Sequence, residues 1–177
     1  MVQGGEGEGL AWEAVIPVRL RGVEERPEPA SRQHGNIRVL RVLTLPEDSV
    51  VGDEAADRAR HRLEAKVDLL LFTLAGQNRS AIPRKRVCLF RDGLRMEVAE
   101  SISTGSLMEV ELWLTDEQPQ PLCLSGVVTG GSSEGNDGIF LSFRELSEEE
   151  SDLLERFIFQ QHRRAVAAAR RERHGDG

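Results

Sequence analysis

The stretch MEVELWL, residues 108–114, puts Met108, Val110, Leu112 and Leu114 on one side of an extended chain and Glu109, Glu111 and Trp113 on the other. Successive side chains of a strand point to opposite faces, so this period of two marks a half-buried strand. The same reading extends outward. Upstream, Arg86 to Phe90 forms a strand, Asp92-Gly93 a turn, and Leu94, Met96 and Val98 then alternate with Arg95 and Glu97. Downstream, the turn DEQPQP leads into Pro121 to Thr129, with Leu122, Leu124 and Val128 on one face. The run GGSSEGND reads as a flexible hairpin loop, and Ile139, Leu141 and Phe143 form a last alternating strand. Near the N-terminus Trp12, Ala14, Ile16, Val18 and Leu20 share a face in the same way. Strands with one apolar and one mixed face build an antiparallel sheet or small barrel. Its inner face is expected to hold Leu94, Met96, Val110, Leu112, Leu124, Ile139, Leu141 and Phe143.

Between the first strand and its partners lies a helical segment, read as an insertion at about 36–76. Residues 22–35 carry two prolines and many charges and read as a loop. In the next run, IRVLRVLTL, Asn36 suits a helix N-cap and Pro46 a stop, with Ile37, Leu40 and Leu43 on one face. Val39 and Val42 suit a strand equally well. Residues 53–75 are the clearest helix. Asp53 and Glu54 favour its positive N-terminal end, alanines and arginines supply propensity, and Gly76 and Asn78 end it. Along it Leu63, Val67, Leu70 and Leu74 are spaced four, three and four, the step of a heptad seam. Leu69 and Phe72 lie opposite that seam and Leu71 beside it, so the C-terminal half is apolar nearly all round. Such a helix must be buried on several sides. One small barrel cannot surround it, so self-association is expected. After the strands, Ser147 with Glu150 makes a capping box, and Leu153, Leu154, Phe157 and Ile158 give a last helix its apolar face.

The expected organisation is a disordered segment over 1–11, one domain over 12–165 and a basic tail over 166–177. The chain has 177 residues, enough for one ordinary domain or a small one carrying an insertion. Its 23 basic residues against 30 acidic ones give a net charge of −7, which argues against nucleic acid as a partner. The longest apolar run, Val67 to Ala75, is interrupted by Asp68 and far short of the roughly 20 residues that span a bilayer. No membrane partner is expected, and the N-terminus has no secretory pattern, so the expected compartment is the cytoplasm.

Chemistry finds little footing. No phosphate loop, dinucleotide fingerprint or nucleophile elbow is present. His34, His61, His162 and His174 have no partner at metal-ligand spacing, and Cys88 and Cys123 sit at strand positions where burial is the usual reason for cysteine. No catalytic residue, metal ligand or cofactor is expected, and the chain reads as no enzyme. Arg84-Lys85-Arg86 leads into a strand. Arg163, Arg164, Arg170, Arg171 and Arg173 crowd the end of the last helix, where they complement its dipole.

The runs VCLFRDGLRMEV, STGSLMEVELWL, PLCLSGVV and GIFLSFRELSEEESDLLERFIFQQHRR together resemble a PilZ domain over about residues 12–20 and 86–165. Gly93-Leu94-Arg95 and the phrase FRELSEEESDLLERFIFQQHRR carry most of the resemblance. The helical insertion looks like the atypical tetrameric branch of that family. The resemblance implies an α+β fold: a six-stranded antiparallel barrel with two inserted helices after strand one and a C-terminal helix. It implies a homotetramer held by a parallel coiled coil, and it implies cyclic di-GMP as a ligand. Ordinary members use Arg-x-x-x-Arg before the first strand and Asp/Asn-x-Ser-x-x-Gly at a strand end. Here the segment before strand one has no arginine, and the second motif falls on Cys88, Phe90 and Gly93, of which only the glycine matches. Tight cyclic di-GMP binding is therefore not expected. The first reading is a non-enzymatic signalling or interaction protein acting on an unidentified protein partner. The alternative is a direct cyclic di-GMP receptor that grips its ligand through Arg84, Lys85, Arg86, Arg91 and Arg95.

Overall fold

The computed structural model describes residues 10–23, 29–44, 81–99, 102–116, 118–130 and 138–174, together with Arg60, Leu63, Glu64, Lys66, Val67, Leu70, Leu71 and Leu74. Six strands form a closed antiparallel barrel: β1 (Trp12–Gly22), β2 (Arg84–Leu89), β3 (Gly93–Met96), β4 (Leu107–Leu112), β5 (Leu122–Gly130) and β6 (Ile139–Arg144). Around the barrel the order is β1-β2-β3-β6-β5-β4. β1 closes it by pairing with β2 through its first half, Trp12 opposite Leu89, and with β4 through its second, Val18 opposite Leu112. Helices α1 (Pro29–Leu43) and α2 (Glu148–His174) accompany the barrel.

All eight residues expected on the inner face are buried. Leu94, Val110, Leu112 and Leu141 are fully enclosed, and Phe143, the most open of the set, is 9% exposed. A barrel of six strands is narrow enough for side chains alone to fill it. Leu40 of α1 and Leu154, Phe157 and Ile158 of α2 join the same core, and Phe157 meets Trp12 edge to face at 5.1 Å.

The insertion differs from the sequence reading at its start. α1 begins at Pro29, inside the stretch read as a loop, and Asn36 lies in its middle instead of capping it. Proline is well suited to a first helical turn, where its missing N–H would have no partner. The burial of Asn36, 2% exposed, has a different cause. Strand β6 pairs with β5 only as far as Ser125 opposite Arg144, so the backbone of Cys123 has no strand beside it on that edge. The Asn36 side chain takes the place of one. Its Oδ1 accepts the Cys123 N–H at 2.8 Å, and its Nδ2 donates to the Cys123 carbonyl at 2.7 Å and to Glu150 Oε1 at 2.8 Å.

The capping box is present as read. Ser147 Oγ accepts the Glu150 N–H at 3.2 Å, and Glu150 Oε2 accepts the Ser147 N–H at 2.9 Å. Glu150, 1% exposed, therefore ties α2 to Asn36 of α1, which in turn holds Cys123 of β5. A buried carboxylate is tolerable only with its lone pairs occupied, as here. Arg32 docks the other end of α1 through a hydrogen bond to Ser125 Oγ. α2 runs unbroken from Glu148 to His174, through most of the stretch read as a basic tail. The expected disorder over 1–11 and the GGSSEGND loop fall almost wholly outside the described residues.

Candidate functional site: the turn between β2 and β3 and the heptad seam

The turn between β2 and β3 and the strand ends beside it hold the three degenerate motif positions: Cys88 in β2, Phe90 in the turn and Gly93 at the start of β3. It closes through the Phe90 N–H donating to the Gly93 carbonyl at 2.8 Å, and β6 joins it through the Phe143 N–H donating to the Asp92 carbonyl at 2.8 Å. Gly93 has a packing reason for being glycine. A Cβ there would lie 2.5 Å from Phe140 Cζ and 2.9 Å from the Leu141 carbonyl oxygen. The Phe140 ring thus lies against Gly93, and it packs on Phe90 with ring centres 6.0 Å apart. The one motif residue that survives in sequence accommodates a side chain of the protein itself.

Cys88 sits in a row with Glu13 on β1, Arg95 on β3 and Phe140 on β6. Burial and the nearby Glu13 push its thiol pKa up, against a smaller opposing effect of Arg95. Cys123 is pushed further, to about 11, by burial and then by Glu111 and Glu109. Neither thiol has the electropositive setting that makes a cysteine reactive. A thiol whose folded pKa lies above its ordinary value of about 8.5 stabilises the fold fully below that value and ceases to as pH rises through the folded pKa. Stability is therefore expected to fall between about pH 9 and 11. Cys123→Ala should flatten that fall in thermal melts taken across the window.

The five candidate anchors do not converge. Arg84 donates to the Val15 carbonyl at 2.9 Å and pairs with Asp116 at 3.2 Å. Arg91, past the far end of β2, is drawn to α2. Its Nε donates to Ser151 Oγ at 3.0 Å, and its Nη1 and Nη2 pair with Glu155 at 3.0 Å and Asp152 at 3.7 Å. At about 3.3 Å per residue these two arginines are on the order of 20 Å apart along the strand. Lys85 is half-buried opposite Ile16, while Arg86 and Arg95 are exposed on the outer face. The sequence offered no sign that Arg91 meets Ser151, Asp152 and Glu155, because that contact joins residues 60 apart. Phe140, between Ile139 and Leu141, was not singled out in the sequence at all.

The second site is the heptad segment. All its described residues are helical. Leu63 is 64% exposed, Val67 44%, Leu70 63% and Leu74 51%. They are four of the nine large apolar side chains that the described part of the chain leaves in water, and they are the four that share the seam. Leu71 beside it is half-buried. Leu69 and Phe72, read as the opposite face, lie outside the described residues. Among the described residues no cluster of His, Cys, Asp or Glu could hold a metal ion, and no helix is long and apolar enough to cross a membrane.

Residues 40–171 match the atypical PilZ domain, described as a cyclic di-GMP receptor, and so cover the whole barrel after β1, the heptad segment and most of α2. The chain belongs to the atypical PilZ family. Its fold has a solved relative: a PilZ domain protein of Xanthomonas campestris, described as a new tetrameric PilZ domain self-assembled via an unusual helical bundle. The two are 23% identical and superpose with a TM-score of 0.70 over 91% of this chain and 92% of the other. No curated protein matches the sequence. The PilZ barrel is thus present in full in this chain, with α1 and the heptad segment between β1 and β2.

Proposed function

We propose that this atypical PilZ protein is a non-enzymatic cytoplasmic signalling module that self-associates through its heptad segment, as a tetramer, and acts by contacting another protein. The exposed seam carries this reading. Burying a leucine or valine side chain is worth about 1.5–3 kcal/mol, so four of them left in water on one helical line would forfeit much of what a small domain can gain. The heptad pattern alone does not select four chains, since valine at a with leucine at d leans toward dimers. The tetramer is supported by the assembly described for the Xanthomonas protein. Light scattering on the full chain tests the reading: the expected mass is a multiple of 19.7 kDa, and a single-chain mass would overturn it.

Weak or absent cyclic di-GMP binding belongs to the same proposal. Arg84 and Arg91 are held by carboxylates, the Phe140 ring lies against Gly93, and Cys88 offers only a weak donor. Each lost charge-assisted contact costs about 1.5–3 kcal/mol, so two of them move a micromolar dissociation constant toward millimolar. Calorimetry at low-micromolar concentration is expected to give no saturable isotherm. The exposed guanidinium groups of Arg86 and Arg95 favour the alternative reading of a direct receptor. A dissociation constant below about 10 μM would establish that alternative.

A further inference from the structure

Helix α1 is poorly made for standing alone. Ile37, Val39 and Val42 are β-branched and lose side-chain freedom in a helix. The first turn carries no acidic residue to complement the dipole. Gly35 lies in the middle, where glycine is the weakest helix former after proline. Packing does not require it there: a Cβ at Gly35 would meet nothing within 4 Å. Fifteen residues of such composition are marginal as a helix in water. The rest of the fold must therefore hold α1 in place.

That hold is mostly polar. Among the described side chains of α1, Leu40 is the one fully buried apolar group, with Leu43 partly buried against the same core and Val42 exposed. The other attachments are hydrogen bonds and ion pairs. Asn36 grips Cys123 and Glu150. Arg32 donates to Ser125 Oγ and lies 3.9 Å from the carboxylates of Glu109 and Glu145. Gln33 Nε2 donates to the Glu145 carbonyl at 3.3 Å, and Arg41 Nε to Glu149 at 3.1 Å. Just past the helix, Gln160 Nε2 donates to the Thr44 carbonyl at 3.2 Å. Contacts of this kind exchange water partners for protein partners, and each nets little. The barrel, by contrast, closes on a continuous apolar core. Glu145 adds a strained turn to what α1 must hold. Its φ of 60° is left-handed backbone, unfavourable for a residue with a Cβ, and Gln33 and Arg32 both reach it. Elements with few buried apolar contacts are the ones that open below global unfolding.

We propose that α1 is a detachable strap. It leaves the barrel as one unit while the six strands and α2 stay folded, and it uncovers the edge of β5 at Cys123. In the chain α1 stands between β1 and the heptad segment. Its opening therefore loosens the tie between that segment and the barrel and breaks neither. It does not depend on self-association through the seam.

Native-state hydrogen exchange on the full-length protein tests this, because one amide reports the strap directly. The Cys123 N–H is held by Asn36 Oδ1 and not by a neighbouring strand. The Cys123 amide and the helical amides of α1 should exchange at one common level, about thirtyfold or more faster than the slowest amides of β4. Gly35→Ala should slow both about fivefold, or about 1 kcal/mol. Ile139→Val, which trims the barrel core, should speed the slowest β4 amides about fivefold and leave Cys123 and α1 unmoved. Should Cys123 and α1 exchange together with β4, and quicken with it in Ile139→Val, the strap is excluded, since α1 would leave only when the barrel unfolds. A Cys123 amide that exchanges fast while those of α1 stay protected would overturn it too, because the Asn36 side chain would be letting go by itself. So would a Gly35→Ala variant whose Cys123 exchange is unchanged.

Discussion

Leu70→Asp is expected to reduce the protein to single chains that keep their barrel. Leu70 is 63% exposed in the isolated chain, so the substitution removes nothing from the core, and its helix-propensity cost is about half a kcal/mol. In the proposed assembly it would stand at a d position between Val67 and Leu74, where every copy would bring a carboxylate to the same dry layer. An unpaired charge so placed costs several kcal/mol per chain, and like charges facing one another add to it. The combined penalty in a tetramer exceeds what two heptads can contribute. Light scattering should fall to about 20 kDa with the circular dichroism of the barrel retained. Leu70→Ala, which shortens the side chain without adding charge, should weaken the assembly and not abolish it. An aspartate variant that kept the full assembled mass would exclude the seam as the interface.

Asn36→Leu should cost about 3–5 kcal/mol of folding stability while leaving the seam untouched. The amide satisfies three groups at once: the N–H and carbonyl of Cys123 and Oε1 of Glu150. A leucine of similar size leaves all three without those partners, and each unsatisfied buried group costs about 1–3 kcal/mol. Glu150 is the worst affected, since one of its carboxyl oxygens loses its partner at 1% exposure. Asn36→Asp should do more harm still, because it sets a second carboxylate against the first. Urea titration of the single-chain Leu70→Asp background measures this without the complication of assembly: the midpoint should fall and the slope should not. A loss below about 1 kcal/mol would mean that α1 is held on by its apolar face alone.

The contrast between these two sites shows what could be read in advance. That Leu63, Val67, Leu70 and Leu74 lie on one line of a helix was legible because a helix repeats every 3.6 residues and their spacing is a purely local pattern. The inner face of the barrel was legible for the same reason, with a period of two, and the capping box at Ser147 and Glu150 is local by construction. Asn36 was misread because the preference for asparagine at helix starts is also local, whereas its actual role depends on where β6 happens to end. The helical start at Pro29 was missed because prolines and charges weigh toward a loop until the packing of Leu40 and Arg32 on the barrel holds the segment in place.

At the candidate ligand site, the mismatched motif residues Cys88 and Phe90 were visible in the sequence, but the reason Gly93 remains was not. That reason is the Phe140 ring, brought from β6 by barrel closure across nearly fifty residues of chain. The engagement of Arg91 by Ser151, Asp152 and Glu155 is of the same kind. By itself the sequence determined the strands, their inward faces, the four-three-four apolar spacing of the inserted helix and the cap of α2, because each depends on spacing between neighbours along the chain. Only the tertiary structure decided which polar groups meet, which arginines are already held and which apolar residues stay in water. Those outcomes depend on distances between elements remote in sequence, and no periodicity encodes them.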